Sequence, residues 1–124
     1  MARIRTIKPE FWTSEHTTSL SRDARLLFIG MWNFCDDAGI HIHSVRTLKA
    51  EIFPLDDDIA VNTVQTLLDE LLSSGLVMTY EAQGKAYLMV TGWHHQKINR
   101  PAYKHPLPEG VKPDKADDSF FFDD

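Results

Sequence analysis

The hydrophobic period of this chain changes at Gly75, and that change constrains the fold more than any other feature of the sequence. Before it, Val61, Val64, Leu67, Leu68, Leu71 and Leu72 recur at three- and four-residue spacings, which puts them on one face of a helix spanning about residues 59–74. After it, residues 76–80 and 86–91 are two strand-like runs around Glu81-Ala82-Gln83-Gly84-Lys85, the signature of a β-hairpin. A helix must therefore run straight into a hairpin, with Gly75 suited to the left-handed C-cap between them.

Two further helices precede this unit. Ser21 is a good N-cap for a helix through Cys35, whose Ala24, Leu27, Phe28, Met31 and Cys35 form an apolar face. Leu26, Ile29 and Trp32 widen the stripe, so a central helix is expected, and Gly30 inside it admits a close neighbour at a cost of about 1 kcal/mol against Ala. Turn residues Asp36-Asp37-Ala38-Gly39 lead into a very short strand, Ile40-His41-Ile42. Ser44 caps a helix over residues 45–53 that Pro54 ends, and Asp56-Asp57-Asp58 bring carboxylates to the start of the third helix, where its dipole favours them. The expected fold is thus α+β: a winged helix-turn-helix, with a three-helix core, a short strand and a C-terminal two-stranded hairpin.

With 124 residues, 43% hydrophobic and 25% charged, one ordinary globular core is expected. The single cysteine, Cys35, excludes an intrachain disulfide and a cysteine-based metal framework, and no segment has the apolar length of a signal peptide or membrane span. A cytoplasmic protein is expected. The charge is uneven: residues 1–105 hold 11 Lys and Arg against 12 Asp and Glu, whereas residues 106–124 hold 2 against 6. We therefore divide the chain into a domain over 1–105, opened by a basic arm, and a mobile acidic and aromatic tail over 106–124.

The runs Ala2-Arg3-Ile4-Arg5-Thr6-Ile7-Lys8-Pro9-Glu10-Phe11-Trp12, Ala24-Arg25-Leu26-Leu27-Phe28-Ile29-Gly30-Met31-Trp32 and Thr91-Gly92-Trp93-His94-His95-Gln96-Lys97-Ile98 together resemble a family of short phage and prophage proteins. The resemblance covers about residues 2–105 and extends to the N-terminal winged-helix domain of phage replisome organisers and DnaD-type replication initiators. It implies binding to single- or double-stranded DNA and protein assembly at an origin, with a homo-oligomer among the expected forms. The second domain of the initiators has no counterpart after the hairpin, so helicase loading does not carry over.

Candidate nucleic-acid contacts follow from residue type. Asn62 and Gln65, on the outer face of the third helix with Thr63, Thr66, Asp69, Glu70 and Ser73, have the amides that pair with adenine edges, but the helix carries no Lys or Arg. Cations lie elsewhere: Arg3, Arg5 and Lys8 on the arm, Arg46 and Lys49 on the second helix, Lys85 in the hairpin, and Lys97, Arg100 and Lys104 after it. Interleaved Trp93 and Tyr103 suit base stacking. Equally open is the reading that these charges balance acids on a near-neutral surface. Phe120, Phe121 and Phe122, flanked by aspartates, are candidate contacts to a replication or host protein; the alternatives are a tail that folds back on the chain's own basic arm and competes with DNA, and an unbound solubilising tail.

His94-His95 and His41/His43 lack a supporting ligand set, so no metal and no cofactor are expected. Asp36-Asp37 and Asp56-Asp57-Asp58 are better explained by turns and a helix start than by acid–base chemistry. No phosphate loop or nucleophile motif is present, and no enzymatic activity is expected. The rival to DNA binding is a protein-interaction module that contacts a host or phage protein.

Overall fold

The computed structural model describes residues 2–93, 96 and 101–110. Its α+β architecture has four α-helices and one three-stranded antiparallel sheet among these residues. A 3-10 turn, Pro9–Trp12, is followed by α1 (Glu15–Thr18), α2 (Arg22–Phe34), β1 (Ile40–Ile42), α3 (Val45–Ile52), α4 (Val61–Ser74), β2 (Val77–Ala82) and β3 (Lys85–Val90). Neither the sequence period nor composition signals α1, which Ser14 starts by accepting a hydrogen bond from the His16 amide at 3.2 Å.

Local chemistry sets most boundaries. Ser21 Oγ accepts from the Ala24 amide and Ser44 Oγ from the Thr47 amide, capping α2 and α3. Gly75 ends α4 at φ 80°, and Gln83-Gly84, at φ 55° and 77°, close the β2–β3 hairpin in two residues. The acidic run Asp56-Asp57-Asp58 is not at the start of α4 as expected. It occupies the exposed turn before it, and Ala60 caps the helix without a side-chain hydrogen bond. That turn is held instead by Ile59, buried in the core, and by the Lys49 ammonium, which donates to the Phe53 and Asp56 carbonyls.

The sheet order is β1-β3-β2, with Ile40 opposite Met89 and Val77 opposite Val90. Central β3 turns Leu88 and Val90 into a core shared with Leu27, Phe28, Met31, Trp32, Leu48, Val64, Leu68 and Leu71. Phe11 reaches this core from the 3-10 turn and meets Phe28 and Trp32 at ring-centroid distances of 6.2 and 5.6 Å. Gly30 lets α3 approach α2 so closely that a Cβ there would stand 2.8 Å from Ile52 Cγ2. The helix is less enclosed than its wide apolar stripe implies: Leu26 is 53% exposed and Ile29 half-buried.

A second apolar cluster, Ala38, Ile40 and Tyr87, is flanked by Tyr80, Met89 and Leu107. The Tyr80 hydroxyl donates to the Pro106 carbonyl at 2.6 Å. Packing thus continues through Leu107, which covers the apolar face of the sheet around Ile40 and Tyr87. No helix among the described residues is long and apolar enough to cross a membrane.

Candidate nucleic-acid interface

The N-terminal arm is extended, as Pro9 requires of the residue before it, but its first two arginines are committed to the body. Arg5 donates through Nε to the Trp32 carbonyl (2.8 Å), through Nη2 to the carbonyls of Cys35 (2.8 Å) and Asp36 (3.2 Å), and through Nη1 to Asp37 Oδ1 (2.9 Å). Its guanidinium also lies 4.8 Å from the centre of the Trp93 ring. These acceptors are the last carbonyls of α2 and its exit turn, which no residue within the helix can satisfy. Arg3 donates to Asp37 Oδ2, and its amide donates to the Asn33 carbonyl at 2.8 Å. With its side chain 4% exposed, Arg5 has almost no surface left for the phosphate contact expected of it from the sequence. Arg3, at 38%, retains part of its surface.

Asp36 and Asp37 organise this corner. Asp36 Oδ1 accepts from the amides of Ala38 and Ile40, while Oδ2 accepts from those of Lys104 and His105 at 3.0 and 2.9 Å. Asp37 Oδ2 accepts from the Ala102 amide at 2.7 Å, and its carbonyl accepts from Trp93 Nε1 at 3.0 Å. Burial alone would raise the Asp37 pKa, yet the Ala102 amide and the Arg5 and Arg3 guanidinium groups hold it below the usual carboxylate value. The pair therefore serves more than the local turn read from the sequence: it joins the arm, the end of α2 and residues 102–105. Gln96 adds a reciprocal pair, its Oε1 accepting from the Thr6 amide and its Nε2 donating to the Thr6 carbonyl, both at 2.9 Å. Four charges in two adjacent pairs, Arg3/Arg5 and Asp36/Asp37, were the available signal for this staple.

Trp93 is likewise buried rather than presented for stacking, whereas Tyr103 is 44% exposed. Burial pushes the Cys35 thiol pKa far up, followed in effect by the neighbouring Asp36 charge, so this cysteine is not a nucleophile. Tyr80 is raised to about 12 by desolvation and then by Asp36, and stays a phenol donor. His105, packed on Tyr87, is lowered chiefly by burial, against the opposing pull of Asp36.

The remaining described candidates lie on α4, on α3, at the hairpin turn and on the flanking segments. On α4, Asn62 and Gln65 are exposed, with the Gln65 amide donating to Asp69 at 2.9 Å. Glu70 is turned away from that face and accepts from the Ser21 amide and hydroxyl. Arg46 is exposed near the start of α3, Lys85 at the hairpin turn, and Lys8 and Lys104 on the flanking segments. Lys49 is half-buried against the turn before α4, which limits its reach. Lys97, Arg100, Phe120, Phe121 and Phe122, and also His94 and His95, lie outside the described residues. Among the described residues no group of three or more His, Cys, Asp or Glu is placed to hold a metal ion.

No protein-family model matches this chain. No curated protein matches it either. Among solved structures, it is similar to one described as "N-Terminal domain of DNA binding protein", with 17% sequence identity and a TM-score of 0.49 over 72% of this chain and 74% of that one.

Proposed function

We propose that this chain is a winged-helix nucleic-acid-binding module of phage or prophage origin, acting in DNA replication or its regulation. The observation that carries the reading is the arrangement of α4 and the hairpin: a helix whose exposed polar face presents Asn62 and Gln65 runs through a glycine cap directly into a tightly turned β-hairpin tipped by Lys85. In a winged helix these are the helix presented to a groove and the wing beside it. Asn62 and Gln65 supply amide donors and acceptors for base edges, and Arg46, Lys85, Lys104 and Lys8 supply the positioning charge. The resemblance of the arm, of α2 and of residues 91–98 to short phage proteins adds the replication context.

So few exposed cations among the described candidate contacts imply weak, salt-sensitive binding. Three or four phosphate contacts give a slope of log K against log salt of about −3. Anisotropy of labelled single- and double-stranded oligonucleotides, titrated at several ionic strengths, tests this. Binding to at least one form that weakens steeply with salt, and a shallower slope for R46A/K85A/K104A, support the reading; no binding to either form at low salt refutes it. The lack of any Lys or Arg on α4 favours the second reading, a protein-interaction module, which predicts that last result.

A further inference from the structure

The outward face of α2 carries a second feature, distinct from the polar surface of α4. Arg22, Arg25, Leu26 and Ile29 are spaced i, i+3, i+4 and i+7, so they share one side of the helix opposite the core stripe. With Trp12 they line a groove of about 290 Å³. Trp12 and Leu26 are each 53% exposed, although the Trp12 ring is braced edge-on by buried Phe11 at 4.9 Å. Exposed apolar surface gathered in a concavity, rather than scattered singly, marks a place of contact. Neither Arg22 nor Arg25 forms an ion pair among the described residues, and Arg25 Nε is buried there without a hydrogen-bond partner. An apolar floor flanked by two uncompensated cations fits an aromatic peptide carrying carboxylates.

The chain contains such a peptide. Asp117-Asp118-Ser119-Phe120-Phe121-Phe122-Asp123-Asp124 sets three aromatic rings between two pairs of carboxylates. Phe120 is the tenth residue beyond Gly110, the last described residue, and ten residue steps join them. Extended, they span up to about 33–36 Å, as far as the width of a domain this small. We propose that the groove between Trp12 and α2 binds the phenylalanine segment of the same polypeptide, with Arg22 and Arg25 facing its aspartates. The contact joins the acidic end of the chain to a face of α2 distinct from the face of α4 that carries Asn62 and Gln65, independently of whether α4 meets nucleic acid.

Nuclear magnetic resonance spectra of the ¹⁵N-labelled full chain test this, comparing wild type with F120A/F121A/F122A and with D117N/D118N/D123N/D124N. The expected result is a concentration-independent shift of the Trp12 indole N–H and of the amides of residues 22, 25, 26 and 29. It should be large for the phenylalanine variant, smaller for the asparagine variant, and reproduced in part by salt. In an R22E/R25E background the phenylalanine substitutions should no longer move the Trp12 indole. Unchanged resonances at these positions overturn the proposal, as do shifts confined to the hairpin or to residues 101–105. Shifts that grow with protein concentration assign the groove to a second copy and overturn the intramolecular contact.

Discussion

Arg5 and Asp37 form an almost dry ion pair, with side chains 4% and 1% exposed, and the guanidinium also closes the carbonyls at the end of α2. Removing one member of such a pair leaves the other charge buried, which typically costs about 3–5 kcal/mol. R5A is therefore expected to lose roughly that much in urea unfolding, whereas K85A, at the exposed hairpin tip, should change stability by less than about 0.5 kcal/mol. The same pair sets a pH dependence. The folded state keeps Asp37 ionised below its ordinary pKa, so in that window the unfolded chain binds more protons and stability rises with pH. This contribution is present above about pH 4 and is lost as pH falls through the depressed folded value. Unfolding midpoints measured across the acid range should show the gap between wild type and D37N narrowing below about pH 4. The arginines were legible as cations and the aspartates as turn residues. Their pairing was not, because a contact across 32 positions leaves no local period.

At the scale of elements, α2, α3, α4 and the hairpin were legible because their cores follow helical or strand periods and each is bounded by Ser, Gly or a tight turn. The short helix α1 was not, since four residues cannot show a period. Two glycines set how closely elements approach. A Cβ on Gly39 would lie 2.8 Å from the Trp93 ring at a φ of 81°, so G39A combines left-handed strain with overpacking and should cost at least about 2 kcal/mol. At Gly30 the backbone is helical, and the three atoms nearest an added Cβ all belong to Ile52. G30V, which adds β-branching to that clash, should lower stability by about 1–3 kcal/mol. Thermal and urea unfolding of both variants measure these effects.

For the whole molecule, charge is the dominant large-scale property: the chain carries −5, and residues 106–124 hold most of it. Neutralising four aspartates in D117N/D118N/D123N/D124N should raise affinity for DNA several-fold, roughly, at low salt, with the difference vanishing as ionic strength shortens the reach of charge. Equilibrium titrations at two salt concentrations measure this. The sequence by itself determined the α+β class, the order of α2, β1, α3, α4 and the hairpin, and the core faces of α2 and α4, because period, caps and turn residues act over a few positions. It also located the outer face of α4, polar and without a cation, and the acidic end of the chain. Only the tertiary structure decided which cations remain exposed. Arg5 is taken up by Asp37 and three carbonyls, Trp93 is buried beneath it, and Arg22 and Arg25 border an apolar groove and form no ion pair among the described residues. Whether a charge is spent inside the fold or left at its surface depends on partners far away in the chain, and that is settled only when the elements pack.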